Sequence, residues 1–285
     1  GWAYQITPFL EEGALAELTT MGEIETATIT LYYCPSRRMG TRNIRSGIGL
    51  IDYAGVIAGP ARGEVEYHVD DFDTDIETLS DPYAPSGSNT ANMAFWGCRG
   101  CGPGLPSKAL GNSLVMQGRP LTYRGIIQRI DWLALDNPAL PEGGRHEGWG
   151  TKMTYAKITD GSSKTLLVAE KYVHPDTYEG VHPQSAGVPP TTVASEDQGW
   201  ADGWDCGVMR STMFPIRNDS DPIQIWPLGS GVCQTLEYGH GSNHPGIINA
   251  VFADGSVRTI NSDVEQEVFN QMGHRFDGET YDYDF

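Results

Sequence analysis

Two histidines, His240 and His244, stand four residues apart in "HGSNHPG", and nine residues separate His244 from the pair Asp254-Gly255. An i, i+4 histidine pair suits a metal ion when it sits on a helix. Gly241, Pro245 and Gly246 work against a helix here, because glycine and proline are the two poorest helix formers. That leaves a loop site using both histidines, set against the more ordinary histidine satisfied by nearby backbone. His244 and Asp254 also invite reading as an acid/base pair. If residues 247–253 are extended, at ~3.3 Å per residue, the two lie about 30 Å apart. Hydrogen bonding needs about 3 Å. Any partner of His244 is therefore expected from another segment, with Asp254 left at a turn.

Four further groups could do chemistry. Asp71, Asp73 and Asp75 alternate in "DDFDTDIE" like the start of an oxygen-ligand calcium loop, but Ile76 stands where an EF-hand needs glycine. A looser calcium loop competes there with a solvated acidic run. Cys98 and Cys101 form a C-x-x-C that, with Cys206 and Cys233, has the composition of a four-cysteine zinc site. Simple disulfides are the ordinary alternative in an exported protein, including a Cys206–Cys233 link. No helix pattern follows the C-x-x-C, which disfavours a thioredoxin-like motif. In "GWADGWDC", Trp200, Asp202, Trp204 and Asp205 set aromatic faces beside carboxylates, as sugar-binding sites do. Core burial is the plain alternative for tryptophan. Finally, Glu170 ends an apolar run, "LLVAE". Desolvation there would raise its pKa, as a carboxylate-dependent glycan-cleaving enzyme requires. An ion pair with Arg258 or Arg210 would instead keep it charged.

The whole composition narrows the classes. The net charge of −18 over 285 residues argues against nucleic acid and anionic membrane surfaces, both of which need clustered cations. Cations and neutral glycans stay compatible. Thirty-five glycines and eighteen prolines fit a loop-rich, mainly β protein. No run reaches the ~20 apolar residues of a membrane helix. The opening "GWAY" carries no initiator methionine or charged leader, so a trimmed, exported ectodomain is expected. Five cysteines leave one over, which implies a partner elsewhere or a free thiol. There is no G-x-S-x-G, H-E-x-x-H or P-loop.

These residues must be positioned by the following elements. "GWAYQITPFLEEGALAEL" reads as a short helix with an apolar stripe. "ATITLYYCP", "GLIDYAGVIAG" and "LTYRGIIQRIDW" have strand composition, and "GRHEGWG" that of a turn. "KITDGSSKTLLVAEKYV" is a turn and then a strand, with Leu166, Val168 and Glu170 expected on one face. In "NHPGIINAVFADGSVRTI", Asp254-Gly255 predicts a two-residue hairpin turn, with Phe252 facing Val257 and Ala250 facing Thr259. "SDVEQEVFNQMG" closes the set as a short helix with Ser262 as N-cap. Residues 62–112 and 174–198 read as irregular insertions in one domain.

The blocks "GWAYQITPFLEEGAL", "LYYCPSRR", "IDYAGVIAG", "ITDGSSKTLLVAEKYV", "GWADGWDCGVMRST", "SNHPGIINAVFADGSVRTI" and "HRFDGET" run nearly the whole chain. In this order they resemble the bacterial prepilin-like proteins with a C-terminal H-x9-DG motif, whose domain is also labelled a solute-binding protein family of unknown function. The resemblance implies an α+β, mainly β, pilin-like head: an antiparallel sheet enlarged by the two insertions. It implies a prepilin leader, a long apolar helix and "CSNNLKQ"-like sequence ahead of the head, with a cysteine there as the partner of Cys34. The helix would contact membrane or filament core. His244, Asp254 and Gly255 match the motif, and Glu170 matches the acidic residue ending "LLVAEK". The family brings no catalytic residues.

The expected function is thus a non-catalytic pilin- or pseudopilin-like subunit at the cell surface, with other pilin-like subunits or surface components as partners. The alternative is an extracellular glycan- or solute-binding module, and an enzyme stands behind both. The candidate binding residues are Trp200, Asp202, Trp204, His240, His244 and Glu170, with Asp71, Asp73 and Asp75 for calcium.

Overall fold

The computed structural model describes residues 1–38, 42–59, 124–128, 153–181, 196, 199–204, 207–221 and 239–285, with the backbone of four two-residue strands between 115 and 147. Asp71, Asp73, Asp75, Cys98, Cys101, Asp205, Cys206 and Cys233 lie outside the described residues, as does most of each expected insertion.

The architecture is α+β and mainly β. In chain order the strands are β1 (Tyr53–Ile57), β2 (Val115–Met116), β3 (Arg119–Pro120), β4 (Asp131–Trp132), β5 (His146–Glu147), β6 (Leu166–Glu170), β7 (Met209–Ser211), β8 (Arg217–Asn218), β9 (Gly241–Ser242), β10 (Ile247–Phe252) and β11 (Val257–Asn261). Five of them form the main sheet, in the order β11-β10-β6-β1-β7. Every neighbouring pair is antiparallel except β1 and β7, which run parallel. The sheet is therefore mixed, where a purely antiparallel one was expected. β5 occupies the centre of the expected "GRHEGWG" turn.

Alternation along β10 sets the two faces. Ile248, Ala250 and Phe252 are buried with Leu166, Ala169, Val56 and Ile260 against Phe269 and Met272 of the C-terminal helix, Gln266–Gly273. Glu265 rather than Ser262 is the N-cap of that helix, and its side chain makes no capping bond. The opposite face of β1 contributes Ile57 to a second cluster, built with Ala3, Ile29, Tyr32, Trp200 and Met209. A register shift at β10 sets Phe252 opposite Leu166 and Val251 opposite Val168. The extra residue, Leu167, splits the face predicted for β6: Leu166 joins Ala169, and Val168 stays with Glu170.

The hairpin turns one residue differently from the prediction. Val251 pairs with Val257 and Ala250 with Arg258, and Gly255 N–H donates to the Phe252 carbonyl at 2.9 Å. Gly255 has φ of +83°. This is a three-residue loop closed by a glycine bulge. Val257 consequently points outward, 69% exposed, and Arg258 crosses the Phe252 ring at 4.8 Å. The turn before β6 braces the hairpin tip, through Ala253 N–H to Thr165 O at 2.8 Å and Asp254 N–H to Ser162 O at 3.0 Å.

Two N-terminal expectations change. The single helix breaks into α1 (Trp2–Gln5), a 3-10 turn at Thr7–Phe9 containing Pro8, and α2 (Gly13–Ala16). Proline within a helix removes a bond and clashes with the preceding turn. "ATITLYYCP" is a 3-10 turn at Thr30–Tyr32 rather than a strand. Its aromatic content reflects burial: the Tyr32 ring sits 5.8 Å from Trp200, and its hydroxyl donates to the Ala3 carbonyl. β-type composition reports a half-buried surface as much as a pleated one.

Candidate functional site

Three distant segments converge beside the end of β6. Glu170, its last residue, is opposite Tyr53 of β1. Asn249 in β10 holds one carboxylate oxygen, Oε2, from its backbone N–H at 2.7 Å and its side-chain amide at 3.1 Å. The other oxygen, Oε1, stands 3.3 Å from Nε2 of His244. The Cys34 thiol lies 3.5 Å from the same Nε2. Cys34 and Glu170 are buried, while the His244 side chain is 25% exposed.

Each member is fixed from behind. Cys34 starts a tight turn whose carbonyl receives Arg37 N–H at 3.0 Å, and its own N–H donates to Asp52 at 2.8 Å. Asn243 carries the histidine loop onto that turn by donating to the Ser36 carbonyl at 2.6 Å. His244 N–H donates to the Ser242 hydroxyl at 3.0 Å, and its carbonyl accepts from Asn218 at 3.0 Å. Burial pushes the Cys34 thiol pKa up, reinforced by Glu170. The Tyr53 phenol is pushed up to about 12 by burial and by the nearby Glu170 and Cys34.

Beneath the site lies a buried ionic cluster. Arg37 forks onto Asp219 through Nε at 2.5 Å and Nη2 at 3.0 Å, and donates to the Lys171 and Gly241 carbonyls at 2.8 and 3.2 Å. Arg38 joins Asp52 at 2.7 Å and Glu196 at 2.9 Å, and Lys171 reaches Glu196 at 2.5 Å. Tyr178 donates to Asp219 at 2.9 Å, so the start of the expected 174–198 insertion is bonded into this cluster. Burial pulls Lys171 down to about 8, with Glu196 opposing. Burial pushes Glu196 up, but Lys171 and Arg38 outweigh it and hold the carboxyl below its usual range.

The sequence candidates separate on this frame. Glu170 and His244 come together and gain Cys34, which sequence had marked only through the odd cysteine count. Glu170 faces His244 rather than Arg258, which lies 3.7 Å from Asp254. His240 is fully buried and forms an isolated bridge with Lys171. Its ring meets Phe269 edge-on and places Nδ1 3.2 Å from the Glu170 carbonyl. Burial drives its pKa down to about 3, keeping it neutral. It does not share the His244 cluster. Trp200 is fully buried, stacks on Tyr4 at 6.3 Å and donates to the Ala27 carbonyl at 2.8 Å, so no face of it meets solvent. Trp204 packs partly buried against that same core, and Asp202 is half-buried beside it.

The Cys34, Glu170 and His244 atoms do not form a nucleophile relay. A relay uses both imidazole nitrogens, one for the nucleophile and one for the orienting carboxylate. Here thiol and carboxylate both address Nε2. Among the described residues, this is the group of histidine, cysteine and acidic side chains whose ligand atoms all lie within 4.8 Å of one another.

No curated protein and no solved structure matches the chain. A family profile does, over residues 1–267, and its span takes in Cys34, Glu170 and His244. The chain belongs to the SBP_bac_10 family, described as a protein of unknown function (DUF1559).

Proposed function

We propose that this chain is the non-catalytic head of a pilin- or pseudopilin-like subunit displayed at the cell surface. The observation that supports this is the use to which its buried charges are put. Arg37, Arg38 and Lys171 are bound to Asp52, Asp219, Glu196 and backbone carbonyls, so they fasten loops to the sheet. A head fixed in this way suits repeated assembly better than a reaction cycle. The family blocks along the chain agree with the reading, and the acidic surface keeps such a head soluble outside the cell.

The test uses the full-length protein in its own cells. A photo-crosslinker at the exposed Val257 position on edge strand β11 should capture a second pilin-like chain, and external protease should reach the head on intact cells. Protection from protease on intact cells, with recovery in the cytoplasm, would overturn the proposal. A freely released head that captures no subunit but is retained on polysaccharide would replace it with the binding-module alternative.

A further inference from the structure

We propose that Cys34, Glu170 and His244 form a binding site for a divalent transition metal ion of the zinc class. A filament head, a binding module or an enzyme could each hold such an ion; the site requires the free Cys34 thiol of this structure in place of the disulfide that the resemblance implies.

The distances carry the argument. Around a tetrahedral Zn2+ with bonds of about 2.0–2.3 Å, a thiolate sulfur and an imidazole nitrogen stand about 3.6 Å apart. A nitrogen and a carboxylate oxygen stand about 3.4 Å apart. The observed separations are 3.5 Å for Cys34 Sγ to His244 Nε2 and 3.3 Å for His244 Nε2 to Glu170 Oε1. All three ligand atoms lie within 4.8 Å of one another.

The three groups close on one another: Asn249 takes up Oε2 of Glu170 twice, and the rest of that carboxylate is turned to His244 and the Cys34 thiol. A cation among the three would satisfy sulfur, nitrogen and oxygen together. The neighbouring buried carboxylates Asp52, Asp219 and Glu196 each face an arginine or lysine. Glu170 faces His244. A doubly charged cation between one thiolate and one carboxylate would leave the centre neutral, with the Cys34 proton released to solvent.

The donor set also selects the ion. Thiolate and imidazole favour zinc, cobalt or copper over calcium and magnesium, which prefer oxygen ligands. Three protein ligands leave a fourth position for water, and the partly exposed His244 marks the side from which it would enter. The Asn249 bonds to Oε2 and the Asp52 bond to Cys34 N–H already hold two ligands in place, as the outer shell of a metal site does.

The decisive experiment titrates the chelator-treated full chain with Zn2+ and Co2+. Zn2+ should raise the melting temperature. Co2+ should produce a thiolate-to-metal charge-transfer band in the near ultraviolet. His244→Ala, at a partly exposed position, should fold by circular dichroism yet bind at least ~100-fold more weakly. Cys34→Ser should abolish the band, and His174→Ala, at a surface histidine beside Asp176, should change nothing. Folded wild-type protein that gives no band overturns the proposal. So does a band that survives undiminished in His244→Ala, because the ion would then lie elsewhere. If Cys34→Ser does not fold, His244→Ala decides the matter.

Discussion

At the scale of single residues, Arg37 is bound into the fold from several sides. Its side chain is wholly buried, and its fork onto Asp219 is bidentate. Removing one partner of such a pair strands the other charge in a dry interior, at about 3–5 kcal/mol. Arg37→Ala should therefore lower unfolding free energy in urea by about that amount. Arg37→Lys should recover only part of it, since an ammonium cannot match the fork. A loss under ~1 kcal/mol for the alanine variant would show the cluster to be solvated. Sequence marked Glu170 and His244 separately, because an acid ending an apolar strand and a histidine in a glycine-rich loop are locally odd. It could not join them to Cys34. The cysteine and the histidine are 210 positions apart, and only the folded sheet, with the Asn243 bond to Ser36, brings their loops together. The same holds for Arg37 and Asp219, whose bond spans 182 positions.

At the scale of elements, the closing hairpin shows how close a local rule comes. Alternating residues and an Asp-Gly pair identified both strands and their turn. The register moved by one because "ADGS" satisfies either of two turns. Asp254 accepts from Ser256 N–H at 2.9 Å and from its hydroxyl at 2.6 Å, which suits the three-residue loop. Ile260, buried opposite Ile248, reaches the core only in that register. Since a Cβ at Gly255 would meet no atom within 4 Å and φ is +83°, the cost of Gly255→Ala is conformational. It should be about 1–2 kcal/mol by thermal denaturation, with Gly255→Asn cheaper because asparagine tolerates the left-handed region. Phe252→Ala should cost more, about 3–5 kcal/mol, by opening a cavity between sheet and helix. Equal losses from the two alanine variants would mean that the bulge, and not the core, fixes the register. The strands with no tertiary ambiguity, β1, β6 and β10, were readable. The 3-10 turn at Thr30–Tyr32 was not, because Tyr32 packs on Trp200 outside any strand while Leu31 is exposed.

At the scale of the whole molecule, two Asp-Gly turns far apart in the chain are nested together. Asp160 receives Asp277 N–H at 2.8 Å and Gly278 N–H at 3.0 Å. Burial, with the Asp160 charge close by, pushes the Asp277 carboxyl from 3.8 up to about 7. The folded state thus holds this proton after the unfolded chain has released it. The stability it brings is complete below about 3.8 and is lost as pH rises through about 7. Melting temperatures measured across that window should fall more for wild type than for Asp277→Asn, whose amide stays neutral; parallel curves would remove Asp277 as the cause. The main sheet has a consequence for the order of events during synthesis. β1 lies between β6 and β7, β6 needs β10, and Arg37 reaches the Gly241 carbonyl across 204 positions. Closing loops of that length is entropically costly until the contacts that reward it exist. A nascent chain that has not yet made residues 239–261 can complete neither the sheet nor the ionic cluster. The sheet must therefore wait for residues 239–261 before it can close. Chains ending before residue 239 should be digested rapidly by protease, while chains extended through residue 285 resist it.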